Sequence, residues 1–324
     1  MIYQLLRWMS GIALHWFYGD IRVFGEDRIS ANGPLLVAVN HQNALVDSLL
    51  IGWLLPRKIT MTAKATLLEN PLVAALFNLV GVVPLRRASD ESRKGGGSPI
   101  DRSRNAGAFH EILGVLEKRG AVLIFPEGKS HNEVGLEPLR TGLARLALQA
   151  RNDRSIQNVR ILPIGLVFAD KATPGSAVGI RVGEAIEMDA WKNPDVATLT
   201  VEIASRLRRV SEGNEAPLSE PRPVVPPDSV LRKVLIAIAA TWGRLTHEVP
   251  VQMARTLALR RSRDADQPAM LTIIFGLGLV LLAYALQLVV VGTLVRSFWV
   301  SAFYLASLLS GAYWAAFEKH PRRY

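Results

Sequence analysis

Two polar clusters interrupt apolar runs in this 324-residue chain. The first is Asn40-His41-Gln42-Asn43-Ala44-Leu45-Val46-Asp47, directly after Leu35–Val39. The second is Phe125-Pro126-Glu127-Gly128-Lys129-Ser130-His131, directly after Ala121–Ile124. A histidine beside a carboxylate is a general base whose tautomer the carboxylate fixes. His41 and Asp47 supply that pair. Six positions on a straight helix turn the second residue by about 240°, so His41 has to sit in a turn ahead of the helix that carries Asp47. Asn43 stands where it can brace that turn by a hydrogen bond to the backbone. In the second cluster, Gly128 allows close backbone approach. A metal set built from His41, Asp47 and His131 fits no standard ligand spacing, and no metal or other cofactor is expected. The chain has no cysteine, which excludes thiolate nucleophiles, disulfides and cysteine-bearing zinc sites.

Buried strands are expected at Leu35–Asn40, Ile59–Thr62, Val82–Leu85, Ala121–Phe125, Val159–Phe168 and Gly179–Val182. Helical spacing lies between them, over Asp47–Leu55, Leu72–Leu79, Asn105–Lys118, Thr141–Ala150 and Val196–Val210. Ser89–Arg104, with its GGG, Pro99 and mixed charge, reads as a loop. Strands alternating with helices make an α/β layer structure, and such folds deliver reactive residues at the C-terminal ends of their strands. Both polar clusters occupy that position.

The motifs resemble those of the glycerolipid acyltransferase superfamily, whose signature is Asn-His, four residues, then Asp, followed by a Phe-Pro-Glu-Gly block. Asn40, His41 and Asp47 match the first part, with five residues intervening instead of four. Phe125–His131 resembles the Phe-Pro-Glu-Gly-x-Ser-His block of fungal-type glycerol-3-phosphate and dihydroxyacetone-phosphate acyltransferases. Gly81–Arg86 is similar to the second family motif and Ile161–Ile164 to the fourth, so the resemblance runs in order from Leu35 to Gly183. It implies a mixed sheet with flanking helices, and direct transfer of an acyl group from acyl-CoA or acyl-carrier protein to a phosphorylated glycerol acceptor. His41 and Asp47 are then the catalytic residues. Arg86, Lys129 and Arg140, with Arg87 behind them, are the expected phosphate donors, helped by Ser130 and the Gly128 backbone. Glu127 is expected to orient Arg86 or bind a glycerol hydroxyl, and Asn40, Asn43 and His131 to support the site. The fungal-type blocks favour glycerol 3-phosphate as acceptor, with lysophosphatidic acid or another lysophospholipid as the alternative. A non-catalytic membrane scaffold on the same fold is the reading outside enzymology.

The ends of the chain speak for a membrane. Leu271–Val295 and Ser297–Phe317 carry no formal charge and are separated by Arg296 alone. As helices they are about 38 and 32 Å long against a hydrocarbon core of about 30 Å. Arg255, Arg260, Arg261 and Arg263 precede this pair, and Lys319, Arg322 and Arg323 follow it. A transmembrane hairpin with both ends, and the catalytic domain, on the cytoplasmic side is expected, with a shallow re-entrant hairpin as the alternative. Residues 1–20 read as an interfacial amphipathic helix rather than a signal peptide. Residues 21–211 make the α/β domain, 212–229 a proline-rich linker, 230–263 a basic amphipathic helical segment and 270–317 the hairpin. The apolar share is 49% and the formal net charge +10. That surplus suits anionic lipid or phosphorylated and CoA-bearing substrates. Nucleic acid is not an expected partner, because the basic residues are scattered and no recognition motif accompanies them. Oligomeric state is not legible.

Overall fold

A computed structural model describes residues 2–69, 71–86, 105–131, 135–192, 195–212, 218, 229–262 and 267–317. The expected loop Ser89–Arg104, Arg87, most of the proline-rich linker, Arg263 and the basic residues after Phe317 lie outside the described residues.

Eight strands form one mixed sheet in the order β1-β7-β6-β2-β5-β3-β4, with β8 pairing β6. The strands are β1 (Asp20–Phe24), β2 (Leu35–Val39), β3 (Ile59–Lys64), β4 (Val83–Leu85), β5 (Ala121–Ile124), β6 (Arg160–Phe168), β7 (Ala177–Val182) and β8 (Ile186–Glu187). The central block β6-β2-β5-β3-β4 is parallel throughout, and β7 returns antiparallel to β6. Strand β1, parallel to β7, and the two-residue β8 are absent from the sequence expectations. The Asp20-Ile21-Arg22-Val23 alternation of β1 is that of an edge strand, too short to stand out beside the helix before it.

Side-chain alternation divides the strands between two cores. Leu35, Val37 and Val39 of β2 face one core with Leu123, Leu162 and Ile164, under α1 (Ile2–Phe17) and α2 (Ala44–Leu54). Leu36 and Ala38 face the other with Val122, Ile124 and Ile161. That side is covered by α4 (Ala106–Glu117), α5 (Gly142–Asn152) and α6 (Val196–Ser211). Helix α6 approaches β6 so closely that a Cβ on Gly165 would lie 2.1 Å from the Val210 carbonyl oxygen. Helix α3 (Pro71–Val80) precedes β4.

Beyond the domain come α7 (Val230–Arg261), α8 (Gln267–Val295) and α9 (Phe298–Phe317). Helix α7 continues through Pro250, well past Thr241, where its apolar run ends. Helices α8 and α9 are long and apolar enough to cross a membrane, consistent with an integral membrane protein. Ala269, Met270 and Ile273 at the start of α8 join the domain core, so this helix is rooted in the α/β body.

Candidate active site

The register of the sheet sets the site. Val37 of β2 pairs Leu123 of β5, Leu123 pairs Met61 of β3, and the next β3 residue, Thr62, pairs Val83 of β4. Beyond the ends of β2, β5 and β4 come His41, Glu127 and Arg86, each at the C-terminal end of a parallel strand. Strands β2 and β4 are three strand spacings apart, about 14 Å.

His41 lies in the turn ahead of α2, and its Nδ1 is 2.9 Å from Asp47 Oδ2. The same oxygen accepts from the backbone N–H of Gln42 at 2.9 Å and of Asn43 at 2.8 Å. An ionised carboxylate only accepts, so Nδ1 carries the proton and Nε2 presents a lone pair. The His41 ring stacks on Phe125, with centroids 3.9 Å apart and planes 13° off parallel. Phe125 thus holds the ring from its face while Asp47 holds it from its edge.

The fifth intervening residue is absorbed at one place. Ala44, the first residue of α2, has φ +42°. That left-handed conformation folds Gln42 and Asn43 back over Asp47, so the pair closes despite a separation unsuited to a regular helix.

Asn40 extends the sheet by side chain. Its Nδ2 donates to the Leu166 carbonyl at 2.9 Å and its Oδ1 accepts from the Leu166 N–H at 2.7 Å, locking the end of β2 to β6. Asn43 sends its Nδ2 to the Tyr18 hydroxyl at 2.7 Å. Burial, and next the charge of Asp47, push the Tyr18 phenol well above its ordinary value, so it stays protonated under the turn.

Both oxygens of Glu127 are used internally. Oε1 accepts from the His41 N–H at 2.6 Å, and Oε2 accepts from the Glu137 N–H at 2.9 Å and meets His131 Nε2. Glu127 therefore ties the two clusters together and contacts neither Arg86 nor open solvent, being 1% exposed. His131 is buried, and its N–H donates to the His41 carbonyl at 3.2 Å. Gly128 has φ +82°, and a Cβ there would meet the Arg140 stem at 3.4 Å, so Arg140 lies over this turn with its head exposed. Lys129 points outward and pairs Glu137 at 3.1 Å. Ser130 is half-buried in the same loop. Arg86 is exposed at the end of β4, with its backbone clamped by Asn105. Asn105 Oδ1 accepts from the Arg86 N–H at 2.9 Å, and Asn105 Nδ2 donates to the Arg86 carbonyl at 3.0 Å.

Three participants were not singled out from the sequence: Tyr18, Asn105 and Lys171. The Lys171 ammonium donates to the Gln42 carbonyl at 2.6 Å and the His131 carbonyl at 3.2 Å, bridging both clusters. Its position just past β6, parallel to β2, is a signal available once the strand order is known. Asp170 shapes that turn. The Thr173 hydroxyl, followed by the Ala172 N–H, holds its carboxyl below the usual carboxylate range. Among the described residues there is no cluster of metal-ligating side chains.

Residues 20–167 match the protein family described as "Acyltransferase". Glycerol-3-phosphate O-acyltransferase 1 of Saccharomyces cerevisiae is 20% identical over 268 residues, covering 58% of this chain and 35% of that protein. The 1-acyl-sn-glycerol-3-phosphate acyltransferase of Cocos nucifera is 30% identical over 148 residues, 44% of this chain and 42% of that one. The chain thus spans under half the length of these relatives. The crystal structure of the 1-acyl-sn-glycerophosphate (LPA) acyltransferase PlsC from Thermotoga maritima aligns with a TM-score of 0.48 and 18% identity, covering 64% of this chain and 78% of that one. Relatives named for either acceptor are found, so the matches do not single out the fungal-type group that the His-Asp spacing resembles. Residues 20–167 are thus similar to the acyltransferase family, and the motifs whose geometry is given above all fall within that match.

Proposed function

We propose that the protein transfers a fatty acyl group from an acyl thioester, acyl-CoA or acyl-carrier protein, to the free hydroxyl of 1-acyl-glycerol 3-phosphate. The observation that carries this reading is the His41–Asp47 pair, with Nε2 left free at the C-terminal edge of a parallel sheet. A glycerol hydroxyl is a poor nucleophile near neutral pH. His41 Nε2 takes its proton as the oxygen attacks the thioester carbonyl. The C–S bond then breaks, and the imidazolium returns the proton to the departing thiolate. Asp47 remains ionised and stabilises the imidazolium. No covalent acyl-enzyme is formed, so no nucleophilic side chain is used.

Arg86 is the favoured phosphate ligand, with Lys129 and Arg140 next. It follows β4 as His41 follows β2, at the C-terminal ends of parallel strands in one sheet. Glu127 and His131 act through the His41 backbone rather than on substrate. The lysolipid acceptor gains support from identity: a relative aligned at 30% bears that acceptor in its name, against 20% and 26% for two relatives named for glycerol 3-phosphate. The fungal-type blocks, taken alone, favour glycerol 3-phosphate, and this stands as the second reading. The basic residues beside the apolar helices favour a catalytic domain on the cytoplasmic leaflet, where soluble thioesters are available. Purified protein given labelled acyl-CoA and an acceptor panel tests the proposal. Labelled phosphatidic acid from 1-acyl-glycerol 3-phosphate is expected; ester formation only on glycerol 3-phosphate moves the reading to the second acceptor, and none on any acceptor leaves a scaffold.

A further inference from the structure

We infer that α7, α8 and α9 insert together into one leaflet, as an in-plane membrane unit, and do not place any part of the chain on the far side. The inference is independent of which acceptor, or any, is acylated.

It starts from how α7 packs. His247 Nε2 lies 2.6 Å from the Tyr284 hydroxyl of α8, and a Cβ on Gly276 would meet the Ala254 methyl at 3.8 Å. Moving from His247 to Ala254 along α7 therefore moves backward along α8, so the two are antiparallel. The backbones of α7 and α9 touch at Gly243 and Gly311, where a Cβ on Gly243 would lie 2.0 Å from the Gly311 carbonyl oxygen. Helix α7 thus packs into the bundle from Ala240 to Ala258. Tyr284 sits in the middle of the uncharged Leu271–Val295 run. From that level, Val295 is eleven residues or about 17 Å away, and Val230 is seventeen residues or about 26 Å away in the same direction. The start of α7 therefore lies at the free end of the hairpin, beside Arg296, away from the end rooted in the domain.

The chain must reach that point from the domain. Arg22 Nη1 of β1 donates to the Leu218 carbonyl at 3.2 Å, so Leu218 is still on the domain surface. Eleven residues lie between Leu218 and Val230, and the twelve steps joining the two reach at most about 42 Å. Their sequence includes Glu220, Arg222 and Asp228, and prolines 221, 223, 226 and 227. If the bundle stood across a bilayer, three charged residues and four prolines would have to be carried through about 30 Å of hydrocarbon. An in-plane bundle removes the conflict, because no charged residue then has to cross.

The surface of α7 agrees. Leu231, Leu235, Ile238, Trp242, Leu245 and Val249 form an exposed apolar stripe at alternating spacings of four and three. Arg244 and Glu248, with Thr241 and Gln252, form an exposed polar stripe about 100° around the helix. Over Thr241–Gln252 the two stripes are the pattern of a helix lying at an interface, with polar groups up and apolar groups down, while toward the start of α7 the same face carries Ala237, Val234 and Val230. The apolar stripe adjoins α8 and α9, whose Leu281, Leu286, Val290 and Phe303 are also exposed. A helix about 10 Å across fits in half a bilayer.

The absence of native cysteine allows single-cysteine reporters in the full chain. Arg232→Cys at the free end and Lys192→Cys on the domain are compared in sealed phosphatidylcholine–phosphatidylglycerol vesicles with a membrane-impermeant thiol reagent. Outside reagent is expected to label Arg232→Cys in the same vesicle population and to the same extent as Lys192→Cys. Labelling of Arg232→Cys by reagent sealed inside, with Lys192→Cys untouched, would overturn the inference. Spin labels at Leu235→Cys, Leu245→Cys and Val249→Cys decide the matter even where Arg232→Cys resists both reagents. An in-plane helix gives the three one common depth, set apart from a shallower Glu248→Cys label. A transverse helix gives a progressive change across the fourteen residues, about 21 Å of rise.

Discussion

The His41 ring is fixed before substrate arrives, by the Asp47 carboxylate on one nitrogen and the Phe125 ring beneath it. The turn that brings them together runs through Ala44 at φ +42°, a conformation unfavourable for a residue with a Cβ. Ala44→Gly is expected to keep activity and to raise unfolding free energy by up to about 1 kcal/mol. Ala44→Val is expected to lower stability and activity together. Denaturant titration alongside turnover checks both; a loss of activity in Ala44→Gly would mean that the turn matters for more than geometry. Arg86 offers a cleaner separation. Arg86→Ala is expected to raise acceptor KM severalfold while thioester KM holds, because the acceptor phosphate sits one glycerol away from the reacting hydroxyl, whereas the donor's phosphates lie a whole pantetheine arm away from its thioester. An unchanged acceptor KM and kcat would move the phosphate site to Lys129 and Arg140. The turn and the pair were legible in the sequence, because residue types and a 240° mismatch force His41 off the helix. Asn105 was not, since nineteen residues separate it from the Arg86 backbone that it clamps.

At the scale of elements, the strand order decides what meets. Neighbouring β2 and β5 put His41 beside Glu127, and β6 on the other side of β2 supplies both the Leu166 groups that hold Asn40 and the Lys171 turn. Periodicity shows that these strands exist and are buried; it does not show their order, which is why Lys171 was missed while Asn40 was not. Helix α1 was legible as amphipathic, but its end also delivers Tyr18 beneath the catalytic turn. The Tyr18 pKa is raised in the folded protein, so its contribution to stability is complete below the unfolded value near 10.0 and is lost as pH climbs through the folded one. Tyr18→Phe removes that titration along with a hydrogen bond worth about 1 kcal/mol. The stability gap between wild type and Tyr18→Phe is therefore expected to narrow from pH 8 to pH 11. A gap constant over that range would show that the phenol does not titrate differently on folding.

The whole molecule joins a polar cluster around His41 to an apolar support. Helix α8 starts inside the domain core, and α1 reaches α9 through the Trp16 indole on the Ala312 carbonyl at 3.1 Å. The domain is therefore attached to the membrane unit by packing as well as by chain. Alkaline carbonate extraction should leave the full-length protein in the pellet, and its release would contradict insertion of α8 and α9. The apolar runs made this support legible from sequence, whereas the packing of α7 along it emerged only from the His247–Tyr284 and Gly243–Gly311 contacts. The proposed acyl transfer is best served by a site near the headgroups, which spares the product a passage through water at about 0.8 kcal/mol for each exposed CH₂. The central claim is that His41 Nε2 removes the proton of a phosphoglycerol hydroxyl. The direct test is the rate of labelled acyl ester formation by purified wild type and His41→Ala at equal, verified folded protein, with 1-acyl-glycerol 3-phosphate and acyl-CoA. A fall of about 10²- to 10⁴-fold in kcat is the result expected from loss of a general base; wild-type turnover by His41→Ala would contradict the account.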